Sequence, residues 1–215
     1  MLHPHLALAR RIERAECRLV VDMAQSVAQR SLSGEVLIAH LGEGAAIFAG
    51  ANSPLNKWIG LGFDGALDEV RVAELEAEFA LRKAAARVEL ATFADASLAP
   101  MLSRRGFVLV GHENVLGLEL DGNCVARLQN ELRDTPRDIS VTKIDHAESR
   151  IWLDAVITGF LHPDGSAATP PTESFAREAL EQAFSDSIDV PDFDLHLARR
   201  GGVVAGGHRC RYLDH

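Results

Sequence analysis

The stretch Leu67-Asp-Glu-Val-Arg-Val-Ala-Glu-Leu-Glu-Ala-Glu-Phe-Ala-Leu-Arg-Lys83 decides how the rest of this chain is read. Val72, Leu75 and Phe79 fall at helical spacing on one face. Acidic residues crowd the first turns, where the helix dipole favours negative charge. This spacing predicts a helix over 67–83 laid across a sheet through that face.

Strand signals stand on both sides of it. Upstream, Glu35-Val-Leu-Ile-Ala-His-Leu41 and Ala45-Ala-Ile-Phe-Ala49 flank Gly42-Glu43-Gly44, the pattern of a β-hairpin. Short apolar Trp58-Ile59 follows the Asn52, Ser53, Pro54 loop. Downstream, Arg87-Val-Glu-Leu-Ala-Thr-Phe93 reads as a strand. Ser97 is positioned to cap a further helix, with Pro100 tolerated in its first turn and Gly106 ending it. Phe107–Val110 and Val115–Leu120 read as two more strands. An amphipathic helix over about Leu6–Arg30, carrying Ile12, Leu19, Val20, Met23 and Val27, opens the chain.

The pattern lapses around Arg133-Asp-Thr-Pro-Arg137, so 124–137 is expected to be a linker. Beyond it the sequence predicts a strand over Ile139–Ile144 and a helix over Glu148–Leu161, with Asp145, His146 and Glu148 at its start. A loop runs from His162-Pro-Asp-Gly165 to Pro171. A helix capped by Thr172 then extends to about Phe184, before strands Phe193–Ala198 and Val203–Ala205. The fold class expected is α/β, an α+β mixed sheet over 1–123 followed by a partial second domain over 138–215.

Composition narrows the partners. Apolar residues make up 47% of the 215 and charged residues 25%, as in a globular chain with a real core. A formal net charge of -9 argues against general nucleic-acid binding. No apolar run approaches the roughly 18 residues of a membrane span, and Arg10, Arg11, Glu13, Arg14 and Glu16 interrupt any secretory leader. Cys17, Cys124 and Cys210 form no disulfide framework, which fits a cytoplasmic location.

The helix ending Leu102-Ser-Arg-Arg-Gly-Phe107, after a strand exit at Asp95, looks like the last helix and "R-x-GF" corner of the GNAT superfamily of acyl-CoA-dependent N-acyltransferases. The order of elements over 1–123 resembles a GNAT domain without its first strand. Ile139 to about Gly206 resembles the opening half of a second one, lacking the cofactor-binding half. The superfamily's cofactor loop reads Gln/Arg-x-x-Gly-x-Gly/Ala, and Lys57-Trp-Ile-Gly60-Leu61-Gly62 is similar to it. The resemblance implies acetyl-CoA as cofactor, its pyrophosphate approaching the backbone of Gly60, Leu61 and Gly62, and an amine as acyl acceptor. Asp64, Asp68 and Glu69 would then face the phosphate. On that reading, valine at Gly60 or Gly62 weakens CoA binding while leaving stability largely intact. Read without the resemblance, the same residues make a glycine turn before an acidic helix.

The other readings are weighed on residues. Gly60-Leu-Gly-Phe-Asp-Gly65 matches the dinucleotide fingerprint G-x-G-x-x-G, but polar Asn52–Lys57 gives it too short a leading strand. Glu89 reads either as a general base or as an exposed strand acid. The only tyrosine, Tyr212, lies outside the region where a GNAT acid would stand. No catalytic residue is assigned, and no G-x-S-x-G elbow occurs. His208 and Cys210, with His215, read as a frayed tail and not as a metal group. The patternless ending Gly207-His-Arg-Cys-Arg-Tyr-Leu-Asp-His215 is read as premature or frameshifted. An uncovered apolar sheet in the second domain is expected to drive self-association. A non-catalytic binding or self-association module is the alternative to an N-acetyltransferase.

Overall fold

The computed structural model describes residues 3–30, 35–131, 136, 138–162, 175–188, 190 and 193–211. It is a mixed α/β protein with two three-stranded antiparallel sheets. The chain divides into two compact units, one built on His5–Leu109 with Glu173–Pro191, the other on Val110–Thr172 with Asp192–Asp214.

In the first unit, α1 (Leu6–Arg30) precedes β1 (Leu37–Leu41), β2 (Gly44–Phe48) and β3 (Lys57–Ile59). β1 and β2 pair with Ala39 opposite Ala46, and β2 and β3 with Ala46 opposite Trp58. The hairpin closes on Gly42-Glu43, and Gly42 takes φ +60°, the sign a type II′ turn needs at its first central residue. α2 (Glu69–Leu81) starts where the Asp68 carboxylate accepts the Val70 N–H, a conventional N-cap. Its Val72, Leu75 and Phe79 are buried as the spacing predicts, together with Phe48, Trp58, Leu61 and Leu98. α3 (Leu98–Arg104) ends at Gly106, whose φ of +91° suits glycine. Ser97 starts this helix without capping it through its side chain. Instead its own N–H and Oγ donate to Asp95, which holds that carboxyl below its ordinary range.

α6 (Arg177–Ile188) also belongs to this unit and packs along α1. Ser26 Oγ donates to the Asp186 carbonyl, and Arg30 pairs with the buried Asp186 carboxylate at 3.3 Å. The expected cap Thr172 and the 163–171 loop lie outside the described residues.

The strand expected over Arg87–Phe93 is reduced to one parallel bridge, Val88 to Trp58. Trp58 N–H donates to the Arg87 carbonyl and Glu89 N–H to the Trp58 carbonyl. The strands expected over Phe107–Val110 and Val115–Leu120 form no ladder. Strand propensity describes a side chain suited to a pleated surface, and no neighbouring backbone among the described residues supplies that surface here.

In the second unit, α4 (Gly122–Glu131) is a helix that buries none of its residues and runs into the stretch read as a linker over 124–137. β4 (Ile139–Lys143), β5 (Phe193–Arg200) and β6 (Val203–Arg211) form the second sheet. A single 3-10 turn, capped by Asp145 accepting the Ala147 N–H, leads into α5 (Ser149–Leu161). Trp152 of α5 is buried, and its Nε1 donates to the His208 carbonyl at 3.0 Å.

Two expectations for this unit are corrected. β6 continues through Arg211, so His208 and Cys210 stand in a regular ladder, because β5 supplies a partner for each residue from Gly206 to Arg211. The face turned from α5 is not the apolar surface expected. It carries Lys143, Asp194, His196, His208 and Cys210 alongside Val141 and Ala198, as the register dictates.

Candidate functional site

The glycine loop sits at the end of β3. Gly60 and Gly62 take φ of +73° and +77°, a region costly for other residues. Their lack of a Cβ is also filled by the protein itself. A Cβ on Gly60 would lie 3.0 Å from Cys17 Cβ; on Gly62 it would lie 2.7 Å from Leu98 Cδ2 and 3.1 Å from the Asp95 nitrogen. Leu61 is buried in the core, and the Gly62 carbonyl accepts the Asp95 N–H at 2.8 Å.

Two residues from α1 complete this surface. The Gly60 N–H acts on the Glu13 carboxyl and partly offsets its rise, so a carboxylate of the chain already stands beside a donor that an anion would need. Burial pushes the Glu13 carboxyl up, with further repulsion from Glu89 and Glu16. Cys17 is buried behind Gly60, and burial pushes its thiol up too, which opposes thiolate chemistry. Nothing local in the sequence marks Glu13 or Cys17 as neighbours of Gly60, because a helix from far upstream delivers them.

The remaining expected residues are also engaged. Lys57 pairs with Glu89 at 2.5 Å, and the Glu89 side chain is 47% exposed. Asp64 accepts the Glu43 N–H at 3.1 Å, Asp68 caps α2, and Glu69 pairs with Arg104. The three-residue β3 runs antiparallel to β2, unlike the leading strand of a dinucleotide fold.

Two recesses lie in this unit. One, of about 250 Å³, opens at the start of α2 between His40, Asp64, Asp68 and Arg71. The other, of about 160 Å³, lies between Val27, Gly50 and Gln182. Both fall below the roughly 300 Å³ at which small-molecule sites begin, and neither is lined by Gly60, Leu61 or Gly62. Among the described residues, no three His, Cys, Asp or Glu side chains converge to hold a metal. None of the described helices is long and apolar enough to cross a membrane.

A cationic clamp fixes α1 over the hairpin. Arg10 and Arg14 both donate to Glu43, Arg10 through Nε at 2.7 Å and Arg14 through Nη2 at 2.6 Å. These bonds hold the Glu43 carboxyl down to about 2 from its ordinary 4.5. A depressed folded value contributes stability that is full above the unfolded pKa and disappears as pH falls through the folded one. Thermal unfolding followed by circular dichroism should therefore show wild type losing its advantage over Glu43→Gln between pH 4.5 and about 2. A constant difference across that window would mean that the clamp does not couple to folding.

No protein-family model matches the chain, and neither a curated protein nor a solved structure matches it.

Proposed function

We propose that this chain is a GNAT-like module that works by self-association, with the Val110–Leu120 segment of the second unit as its associating element. The carrying observation is that segment's exposed apolar surface. Val110, Val115, Leu116, Leu118 and Leu120, all of the second unit, are each more than half exposed, Leu116 at 92%. Transfer energies of 1.5–3 kcal/mol per side chain at about 25 cal/mol/Å² correspond to an apolar area on the order of 500 Å² per copy. Two copies bring about 1,000 Å² together, the size at which specific interfaces begin. The segment's backbone stands outside any ladder of the described residues, so strand pairing between copies would satisfy its donors as well.

The closed glycine loop supports association over acyl transfer. Cys17 and Leu98 pack where a cofactor's approach would need room, and Glu13 competes for the Gly60 N–H. The second reading is the N-acetyltransferase, with acetyl-CoA cradled by Gly60, Leu61 and Gly62 and an amine as acceptor. The order of β3, loop and α2, with the parallel Trp58–Val88 bridge beside them, favours it.

Sedimentation and calorimetry on the full chain separate the two. Wild type should sediment as a dimer at micromolar concentration, and Val110→Lys with Leu116→Lys should shift it to monomer with unchanged circular dichroism. A monomeric wild type, or a dimer indifferent to both lysines, would remove the association reading. Micromolar heat of binding with acetyl-CoA would put the acyltransferase in its place.

A further inference from the structure

β6 stands at the edge of its sheet, pairing with β5 alone among the described residues. None of its nine residues is buried. Its outer side therefore offers a row of backbone N–H and C=O groups to any strand that comes beside it. Proteins blunt such edges with lysine or proline, and Val203-Val-Ala-Gly-Gly-His-Arg-Cys-Arg211 has neither. The irregularity in its pairing falls opposite Ala198/Arg199, which leaves 206–211 regular.

The 110–120 segment belongs to the same unit and has the pattern of a missing strand. Leu116, Leu118 and Leu120 alternate with Val115, Gly117 and Glu119, a two-faced arrangement that no described ladder uses. Its charges are Glu113 and Glu119, with Asp121 directly after it, and it holds no lysine or arginine. Two such segments side by side would oppose like charges, which destabilises paired strands. The other edge strand, β4, has only five residues and is flanked by Asp138 and Asp145. β6 fits in both sign and length. It carries Arg209 and Arg211 and no acid. A parallel register sets Gly117 beside Gly207, Glu119 beside Arg209 and Asp121 beside Arg211. Residues 113–121 then span the same length as Val203–Arg211, about 30 Å at the usual rise of a strand.

We propose, building on the self-association above, that the 110–120 segment adds as a fourth strand to the β6 edge of a second copy. That copy's segment does the same in return. One segment and one edge per chain make two reciprocal contacts, so the pairing closes as a dimer and leaves no β6 edge open. Main-chain hydrogen bonds carry strand addition of this kind, and the paired charges set its register. Arg209 and Arg211 both stack on Phe193, at 5.3 and 5.4 Å from the ring centroid, which holds their charge on one face of the sheet. Asp121 Oδ1 accepts the Cys124 N–H at 2.6 Å, and a carboxylate has a second oxygen for an arginine.

Charge reversal on the full chain, followed by sedimentation, tests this. Glu119→Arg and Arg209→Glu should each weaken dimerisation about 10-fold or more, since both contacts of the dimer turn repulsive. Mixing the two variants should restore wild-type association. One contact of the mixed pair then joins the two reversed charges and the other is wild type, a rescue that pairing within one chain cannot produce. Glu119 is exposed, so its variant should keep the wild-type circular dichroism. Amide exchange over 203–211 gives a readout that needs no variant, and it should slow as wild type is concentrated through the dimerisation range. A monomeric wild type overturns the self-association itself. A dimer indifferent to Arg209→Glu, a mixture that stays dissociated, or β6 amides that exchange alike in monomer and dimer overturns the β6 pairing alone.

Discussion

Phe79→Ala is expected to destabilise the first unit by about 3–5 kcal/mol, the range for deleting a fully enclosed aromatic ring. Phe79 is 1% exposed. Its ring meets Phe48 edge-on at 6.3 Å and Trp58 at 5.8 Å between centroids, arrangements that add to simple area burial. The three rings join α2 to β2 and β3, so the cavity would open where helix and sheet meet. Its walls are strands fixed by their own ladders, which limits how far they can collapse into the space. Equilibrium denaturation reads the loss directly. Leu81→Ala, on the same helix but 79% exposed, provides the contrast and should move stability by no more than about 0.5 kcal/mol. Equal effects at the two positions would mean that α2 does not pack through the Val72, Leu75 and Phe79 face.

What was legible in the sequence was what local pattern decides. The face of α2 follows from the spacing of Val72, Leu75 and Phe79, and the first hairpin from Gly42 between two apolar runs. Strands whose partners lie elsewhere were not legible. Val108, Val110, Val115 and Leu118 have side chains suited to a sheet, yet their segment pairs with no described strand. Conversely, Gly206-Gly-His-Arg-Cys210 has no strand-like composition and is nonetheless part of β6. A ladder partner decides both cases, and that partner is set by long-range pairing. The candidate site divides in the same way. Glycines at 60 and 62 announce an unusual backbone, which their positive φ values bear out. Whether that backbone is open to a phosphate depends on Glu13 and Cys17, and only the packing of α1 places them there.

That packing reverses one expectation. Gly62→Val, read from sequence as a probe of cofactor binding with little effect on stability, is expected to destabilise the folded chain by about 2–5 kcal/mol. Two costs add. A residue with a Cβ at φ +77° pays roughly 1–2 kcal/mol for the left-handed backbone, and a β-branched one is at the costly end. The added atoms also enter filled space, where the new Cβ would stand 2.7 Å from Leu98 Cδ2 and 3.1 Å from the Asp95 nitrogen. Leu98 is fully buried and rotates only into other core atoms, and overpacking of this kind costs about 1–3 kcal/mol. Displacing Asp95 would stretch its N–H bond to the Gly62 carbonyl, so the loop and the entry to α3 would shift together. Gly65→Ala separates the terms. Its φ is +117° but no atom lies within 4 Å of the new Cβ, so only backbone strain applies and the loss should be smaller. Denaturant unfolding of the two variants beside wild type is the measurement. If Gly62→Val proves as stable as Gly65→Ala, Leu98 and Asp95 yield without cost, and the loop has room that the packing denies it. The substitution would then recover its use as a direct test of phosphate approach at Gly60, Leu61 and Gly62.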